Sequence, residues 1–304
     1  MPKPAIAVVG CGKVGSALAL LLKERGYPVA GVASRSYASA KRLAEAAGCP
    51  AYERPEEAAR AADLVFITTP DREIAPVSRA IAEKGGFRAG QVVAHTSGAH
   101  PSGELKGARE AGALAVSIHP LQSFADVEAA RRNLPGSYFA LEGDEEALPL
   151  ARQVAEDLGG KPFVIRAQDK VLYHAAACIA SNYLVSLMHL AANIYARFGL
   201  SPREAFEALY PLVQGTVNNI RALGPAQALT GPIARGDAGT VAGHLGPLEG
   251  VGDLEAQVYR LLGLYTVRVA LEKGSIGEEQ ARELRRVLKE GAGKEVPTWL
   301  SCTP

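Results

Sequence analysis

The chain has 304 residues, of which 48% are hydrophobic and 21% are charged, and its formal net charge is +1. This is the composition of an ordinary globular protein and excludes disordered and collagen-like chains. A near-neutral charge gives no reason to expect nucleic acid or an acidic membrane as a partner. The length predicts two domains. Scattered cysteines without metal-ligand spacing favour reduced thiols, no metal and a cytoplasmic location: Cys11, Cys49, Cys178 and Cys302.

The first half of the chain alternates apolar strands with amphipathic helices. The N-terminus enters a strand at 5–9 without a basic or apolar targeting segment, so secretion is not expected. A helix at 16–25 follows. Further strands are predicted at 29–33, 64–68, 91–95, 115–118, 138–141 and 162–165, with helices at 38–47, 74–84, 104–111 and 145–158. The alternation predicts a doubly wound α/β Rossmann domain over 1–167, with a parallel sheet covered on both faces.

The second half, 168–304, shows helical patterns and no strand. The helices are predicted at 169–197, 202–222, 237–244, 251–273 and 278–290, which makes a second, all-helical domain. Residues 171–196 contain no Asp, Glu, Lys or Arg and are long enough to cross a membrane. Polar residues interrupt the segment, however, and favour a helix buried inside a protein.

A glycine-rich turn follows the first predicted strand. Gly10, Gly12 and Gly15 match G-x-G-x-x-G between a strand and a helix. The first glycine allows a tight turn, the second lets the backbone approach a pyrophosphate, and the third permits close packing of the helix on the strand. Free N–H groups at the start of the helix attract phosphates. We predict that these glycines, with Lys13 and Val14, bind a dinucleotide.

The end of the second predicted strand distinguishes NAD from NADP. An NAD site would place Asp or Glu there to bind the ribose hydroxyls, whereas this chain has Ser34, Arg35 and Ser36. A guanidinium can pair with a 2′-phosphate, and flanking hydroxyls can donate hydrogen bonds to it. These residues predict NADP as the cofactor. The alternative is an arginine in a solvated loop, with a mixed preference.

A third group of predicted cofactor contacts ends the strand at 64–68. Thr68, Thr69 and Pro70 stand where the chain of a doubly wound domain passes over its cofactor. The alternative is a turn that only ends the strand.

Polar clusters follow two later strands, and ligands of such folds bind beyond the carboxyl ends of strands. One strand ends in the sequence HTSG, and the other continues from Ser117 into HPLQS at 119–123. A hydrogen-bonded structural histidine is the alternative for each histidine. The residues predicted to bind substrate are His95, Thr96, Ser97, Gly98, His119 and Gln122.

One face of the first helix in the second half is polar, with residues at helical spacing: Lys170, His174, Cys178, Ser181 and Asn182. Burying an ammonium without partners is unfavourable, so this pattern favours a cleft over a packed core. Hydride transfer at a C–O or C–N bond needs a cation or acid at the heteroatom. Lys170 and His174 are therefore predicted to be catalytic, with Asn182 orienting the substrate and Ser181 binding it. The alternative places Lys170 exposed in the first turn.

The loop TGPIARGD at 230–237 supplies one more predicted substrate ligand. Arg235 can clamp an anion bidentately. The alternative is an ion pair with Asp237 at a helix start.

These residues resemble the 6-phosphogluconate and 3-hydroxyisobutyrate dehydrogenase superfamily, in which a catalytic lysine begins the interdomain helix and Asn, or His and Asn, follows about one turn later. Lys170 and His174 resemble that pair, although a histidine stands at the one-turn position and the Ser-Asn pair comes later. More closely, the chain resembles the Rossmann-like plus DUF2520 family, through HPLQSF at 119–124, Tyr173-His174, Ser181-Asn182 and the loop at 230–237. The resemblance implies NADP, a homodimer and a 6-phosphogluconate dehydrogenase C-terminal-like helical domain.

Further resemblances suggest a small carboxylated substrate. His119-Pro120 is similar to the His-Pro-Met stretch of prephenate dehydrogenases, and the layout is similar to ketopantoate and pyrroline-5-carboxylate reductases. We predict a homodimeric NADP(H)-dependent oxidoreductase that transfers a hydride to or from a keto or hydroxy acid, or an imine or amine, in the interdomain cleft. The alternative is a non-catalytic module that senses NADP(H) or binds a protein.

Overall fold

The computed structural model describes residues 3–290. Residues 291–304, which end the predicted helical domain and include Cys302, lie outside the described residues. The chain divides into two compact units, Met1–Tyr183 and Leu184–Pro304. The domain boundary predicted at residue 167 therefore lies before the boundary between the two units, because the helix that follows residue 169 belongs to the first unit.

The first unit is built on one eight-stranded sheet. Its strands are β1 (Ile6–Val9), β2 (Val29–Ala33), β3 (Ala51–Tyr52), β4 (Leu64–Ile67), β5 (Val92–His95), β6 (Leu114–Pro120), β7 (Tyr138–Gly143) and β8 (Lys161–Val164). The order is β3-β2-β1-β4-β5-β6-β7-β8, and β7 runs antiparallel to β6. The other neighbouring pairs are parallel, so the prediction of a parallel sheet is wrong at this one pair. A buried apolar run does not encode the direction of its strand.

Helices cover both faces of the sheet. They are α1 (Lys13–Glu24), α2 (Tyr37–Ala47), α3 (Pro55–Arg60), α4 (Asp71–Glu83), α5 (Lys106–Glu110), α6 (Val127–Asn133), α7 (Leu148–Asp157) and α8 (Lys170–Ala180). Alternate residues of β1 enter opposite apolar clusters, with Ile6 and Val8 in one and Ala7 and Val9 in the other. This two-sided burial is the physical reason that the strands read as continuous apolar runs. The doubly wound prediction is confirmed.

The second unit is helical throughout its described residues. Its helices are α9 (Asn182–Ala196), which begins in the last residues of the first unit, α10 (Pro202–Leu223), α11 (Ala238–Glu249), α12 (Asp253–Lys273) and α13 (Glu278–Lys289). Ser201 and Glu204 form a capping box that begins α10. A buried cluster that includes Val241, Val267 and Leu284 joins α11, α12 and α13. The all-helical prediction is confirmed, and the single predicted helix over 169–197 divides at Ser181.

The helical segment Ala167–Ala196 is long and apolar enough to cross a membrane, by length and composition only. Core helices of soluble proteins meet the same two criteria. In the single chain the apolar side of α8 is exposed, with Val171 70% and Leu172 77% accessible. The expectation of a helix buried inside its own chain is therefore wrong. Only the polar side of α8 packs against the rest of the first unit.

Candidate active site

The turn between β1 and α1 needs glycine at two positions and leaves a third open. A Cβ on Gly10 would lie 2.8 Å from the Thr68 carbonyl carbon, and its φ of +112° favours glycine. A Cβ on Gly15 would lie 2.2 Å from the carbonyl oxygen of Gly10. A Cβ on Gly12 would meet nothing within 4 Å. The backbone at Gly12 is therefore open to an incoming group, as a pyrophosphate requires.

A cavity of about 520 Å³ opens beside this turn. Gly12 caps α1 without a side-chain hydrogen bond, so the first N–H groups of the helix stay available to an anion. The Thr69 hydroxyl is buried and has no hydrogen-bond partner within residues 3–290, which fits a contact with a bound molecule. The predicted residues that line the cavity are Gly10, Gly12, Ser34, Arg35, Ser36, Thr68, Thr69 and Pro70.

Three predicted cofactor residues do not line this cavity. Lys13 is exposed at the start of α1, Val14 packs partly against the core, and Gly15 is buried under the turn. Gly15 therefore acts through packing. Two acidic residues of the lining, Glu53 and Glu73, were not predicted. They lie on segments that the glycine pattern does not cover, and an isolated glutamate gives no signal in a sequence.

The register of the sheet brings the predicted substrate residues next to the glycine turn between β1 and α1. Ile67, the last residue of β4, pairs with His95 of β5, and His95 pairs with Ser117 of β6. Neighbouring strands lie about 4.8 Å apart. The segments that follow Ile67 and His95, and the last residues of β6, therefore share one edge of the sheet.

His95 has a structural role. Its ring is 0% exposed, Nδ1 accepts a hydrogen bond from the Ser97 amide at 3.2 Å, and Nε2 lies 3.0 Å from the Pro101 carbonyl oxygen. Burial lowers the pKa of His95 to about 4, so the ring is neutral. The Ser97 hydroxyl accepts from the amides of Ala99 and His100. Both side chains are engaged in shaping the turn rather than in facing a substrate. Thr96 between them is half-buried.

Lys170 is fully buried at this edge. Its Nζ donates to the Ser97 carbonyl at 3.0 Å and to Ser117 Oγ at 2.7 Å. Burial lowers its pKa to about 8, against the opposing charges of Glu142 and Asp71. The alternative of an exposed first-turn lysine is therefore wrong. An ammonium with distant counter-charges in a buried pocket is a feature of functional sites.

Two further imidazoles meet over Gly98. A Cβ on Gly98 would lie 2.6 Å from His174 Nδ1 and 2.7 Å from His119 Nε2. His174 Nδ1 is buried without a partner in the described part of the chain, while its Nε2 lies 3.6 Å from Cys178 Sγ. His119 Nδ1 lies 2.8 Å from the Tyr173 hydroxyl. The predicted pair Lys170 and His174 thus shares one edge with His119.

The remaining predicted residues are placed differently. The Gln122 amide donates to the Asn133 carbonyl and the Ser137 hydroxyl, and its oxygen accepts from the Ser123 amide. It therefore orders a loop. Ser181 and Asn182 are exposed where α8 gives way to α9. Their substrate roles stay predictions.

Arg235 belongs to the second unit. It is exposed at the end of a short 3₁₀ helix. The Asp237 carboxylate caps α11 by accepting from the Thr240 amide at 2.9 Å and the Thr240 hydroxyl at 2.6 Å. Asp237 is therefore engaged by the helix start, and Arg235 as an anion ligand stays a prediction.

Three further residues contribute to this edge without a predicted site role of their own. Tyr173 pairs with His119, Ser117 accepts from Lys170, and the Glu142 charge acts on Lys170. The sequence already distinguishes the polar cluster that begins at Ser117 and the Tyr173-His174 pair, whereas Glu142 gives no signal there. The contacts of Ser117 and Glu142 with Lys170 depend on strand register. Within residues 3–290 no group of three or more His, Cys, Asp or Glu residues is placed to hold a metal ion.

Two family profiles match the chain, a Rossmann-like domain over residues 1–120 and a domain of unknown function, DUF2520, over residues 137–266. Protein TM1727 from Thermotoga maritima is 31% identical, with a TM-score of 0.68, and the match covers 90% of this chain and 100% of that one. The chain belongs to this Rossmann-like and DUF2520 family. The resemblance found in the sequence is confirmed.

Two other solved structures share the fold. A candidate NADP oxidoreductase, BF3122 from Bacteroides fragilis, has a TM-score of 0.69 and 22% identity, over 90% of this chain and 99% of that one. A 1-pyrroline-5-carboxylate reductase from Streptococcus pyogenes has a TM-score of 0.61 and 17% identity, over 94% of this chain and 100% of that one. At these identities the likeness shows the fold alone.

Proposed function

We propose that this protein is an NADP(H)-dependent oxidoreductase that transfers a hydride to or from a small carboxylated substrate, either a keto or hydroxy acid or an imine or amine. The observation that carries the proposal is the buried Lys170 ammonium, with His119 and His174 beside it, on the sheet edge next to an open dinucleotide turn. The names of BF3122 and the Streptococcus pyogenes reductase agree with it.

The choice of NADP rests on the end of β2. Arg35 is exposed and lines the cavity with Ser34 and Ser36, and the latter caps α2 by accepting from the Ser39 amide. A guanidinium at this place can bind a 2′-phosphate through paired hydrogen bonds. The acidic Glu53 lines the same cavity. The pairing of Arg35 with the phosphate must therefore outweigh repulsion by this carboxylate.

Replacing Arg35 tests the cofactor assignment. Arg35→Ala should raise the Kd for NADPH about tenfold or more and leave the Kd for NADH unchanged, since hydrogen bonds to charged groups contribute about 1.5 to 3 kcal/mol. Calorimetric titration with each nucleotide measures both constants. Arg132→Ala, at an exposed arginine on α6, is the control and should leave both constants unchanged. Equal effects of Arg35→Ala on both nucleotides would support the solvated-loop alternative.

The chemistry follows from what each residue can hold. NADP(H), when bound, supplies or accepts the hydride. The Lys170 charge stabilises negative charge that develops on the substrate heteroatom. His174 holds the proton that the heteroatom gains or loses, because its Nδ1 is buried without a partner among the described residues. Asn182 is proposed to orient the substrate.

A second copy of the chain is proposed to cover the apolar helix surfaces. Large apolar side chains are exposed on α8, α9, α10 and α12, including Val185 at 69%, Leu212 at 68% and Tyr265 at 65%. Patches of this extent mark interaction surfaces. Several helices share the exposure, and polar residues such as His189 and Asn193 lie among them. This distribution favours a homodimer over a single membrane span.

Substrate screening tests the enzyme assignment. NADPH oxidation should be detectable with at least one member of a panel of 2-oxo acids, cyclic imino acids and imines, and NADP reduction with the matching hydroxy acids and amines. His174→Ala should abolish turnover while calorimetry shows unchanged NADPH binding. Lys106→Ala, at an exposed side chain on α5, should change neither. If no member turns over and His174→Ala changes only the binding of a protein partner, the non-catalytic alternative replaces this proposal.

A further inference from the structure

The buried Lys170 ammonium donates its hydrogen bonds to neutral oxygens. Its Nζ donates to the Ser97 carbonyl at 3.0 Å and to Ser117 Oγ at 2.7 Å. The Ser117 hydroxyl in turn donates to the same Ser97 carbonyl at 3.3 Å. Neutral oxygens satisfy N–H groups, but they do not offset a full charge that is removed from water. The charge of Lys170 therefore needs a counter-charge beyond these contacts.

The sheet places a buried carboxylate near this ammonium. Glu142 of β7 lies directly opposite Ser117 of β6 in the antiparallel pair. Side chains of such a pair lie on the same face of the sheet, with Cβ atoms about 5 Å apart. Glu142, which is 8% exposed, therefore shares its face with the Ser117 hydroxyl that accepts from Lys170. Salt and water screen the attraction between two buried charges much less than an attraction at the surface.

The Glu142 carboxylate is held in place by Ser102. The Ser102 amide donates to Oε2 at 2.6 Å, and the Ser102 hydroxyl donates to Oε1 at 2.9 Å. Hydrogen bonds donated to a carboxylate favour its ionised form. Arg109 also reaches the Ser102 hydroxyl, at 3.0 Å, but its guanidinium pairs with Asp144 at 2.7 Å. The negative charge of Glu142 therefore remains available to Lys170.

The imidazoles near Lys170 cannot supply a negative charge, because an imidazole is either neutral or positive. His95 of β5 and His119 of β6 are neutral, since burial lowers their pKa to about 4 and to about 3. His174 follows Lys170 by one turn on α8 itself. A counter-charge for Lys170 therefore has to come from carboxylates.

Two carboxylates act on Lys170, and they differ in burial. Burial lowers the pKa of Lys170 to about 8, while Glu142 and then Asp71 oppose that decrease. The Asp71 side chain, at the start of α4, is 49% exposed, so solvent screens its charge. Glu142 is therefore the main counter-charge of Lys170.

We propose that Glu142 keeps Lys170 in its ammonium form from across the β6–β7 pair, and that it thereby sets the highest pH at which the enzyme is active. The inference rests on the proposed function, in which the Lys170 charge stabilises the substrate heteroatom. Glu142 is a positioning residue, since it acts through Lys170 and not on the substrate. Without the Glu142 charge, the ammonium would lose its proton at lower pH.

Carbon NMR of the full chain labelled with ¹³C-lysine measures the charge of Lys170 without any turnover. The Lys170 signal is identified by its loss in Lys170→Met, and in the wild type it should titrate near pH 8. Glu142→Gln keeps an oxygen for the Ser102 amide and should move this midpoint to lower pH by about one pH unit or more. Glu142→Asp keeps the charge and should restore most of the wild-type midpoint.

Glu145→Gln is the matched control, because it makes the same substitution at an exposed side chain three positions later. Its Lys170 midpoint should equal that of the wild type. An unchanged midpoint in Glu142→Gln, or an equal change in Glu142→Asp and Glu142→Gln, would overturn the proposal. In the second case the shape of the side chain, and not its charge, would act on Lys170.

The pH dependence of turnover separates this inference from the proposed function. With a substrate found by screening, wild-type kcat should fall as the pH rises through about 8, because Lys170 loses its charge. In Glu142→Gln the fall should occur at lower pH, by the same amount as the NMR midpoint, with an unchanged KM for NADPH. A moved midpoint with an unmoved kcat profile would overturn the role of Glu142 in activity and leave an oxidoreductase. Expected midpoints without turnover of any substrate would refute the proposed function, while the control of the Lys170 charge by Glu142 would stand.

Discussion

The buried surroundings of Lys170 disfavour the charged form of its side chain. The side chain is 0% exposed, and burial lowers its pKa from 10.5 to about 8. The fold therefore gains nothing from the ammonium that an apolar side chain of similar length would not supply. Such a residue is expected where activity, rather than stability, requires the charge.

Lys170→Met separates these two contributions. A shift of this size corresponds to about 3 kcal/mol against the charged form, so the free energy of unfolding at neutral pH should be unchanged or raised by roughly 1 to 3 kcal/mol. Urea denaturation measures it, and turnover of any substrate found by screening should be lost. Lys106→Met, at a side chain 81% exposed, should alter neither. A large loss of stability in Lys170→Met would show a structural role instead.

His95 makes stability depend on pH in a defined window. Its pKa is about 4 in the folded chain and 6.5 ordinarily, so between these values the unfolded chain binds a proton that the folded chain does not. The free energy of unfolding should therefore fall as the pH falls through this window, by about 3 kcal/mol from this group. His119 adds to the fall in the same direction, because its pKa is also lowered.

Denaturation in urea at several pH values checks the His95 prediction. His95→Gln removes one of the two titrating groups and should make the dependence between pH 4 and 6.5 less steep, with the His119 contribution remaining. An unchanged slope in His95→Gln would contradict the assignment.

At the scale of elements, two glycines of the turn between β1 and α1 have different purposes, one in packing and the other in the proposed cofactor binding. Gly15 packs against the Gly10 carbonyl, whereas Gly12 faces open space with φ −82° and ψ −169°, a conformation that alanine accepts. The sequence motif has glycine at both positions. The structure shows that the reasons differ, because Thr68, which follows β4, lies against Gly15, whereas nothing lies near Gly12.

Matched alanine variants test this distinction. Gly15→Ala should lower the free energy of unfolding by about 2 to 3 kcal/mol or more, because its methyl group would overlap the Gly10 oxygen. Gly12→Ala should keep wild-type stability but raise the Kd for NADPH at least tenfold, since the methyl group occupies the approach of the pyrophosphate. Thermal unfolding and calorimetric titration measure the two effects. Equal NADPH binding by Gly12→Ala and the wild type would contradict the assigned cradle.

At the scale of the whole molecule, the exposed apolar helices support the proposed homodimer. Val185→Glu combined with Leu212→Glu should convert a dimer into a monomer in sedimentation velocity, because each charge would be buried in the interface. Lys106→Glu on the first unit is the control and should leave the sedimentation coefficient unchanged. A wild-type chain that sediments as a monomer and floats with liposomes would favour a membrane surface instead.

The sequence by itself determined the two structural halves, the glycine turn between β1 and α1, and the family. Apolar periodicity and the spacing of Gly10, Gly12 and Gly15 are local signals, and they predicted seven of the eight strands that the structure contains. The missed β3 and the short helices α3 and α6 have 2, 6 and 7 residues, which is too few for a periodic pattern to be detected.

Only the tertiary structure decided the chemistry of the site. His95 and His119 look equivalent in the sequence, since each ends a strand with polar residues after it. The Ser97 amide and the Pro101 carbonyl occupy both nitrogens of His95. The helix α8 instead brings Tyr173 to one nitrogen of His119 and leaves the other facing Gly98. The contact between His119 and Tyr173 joins residues 54 positions apart, and no local sequence pattern records it.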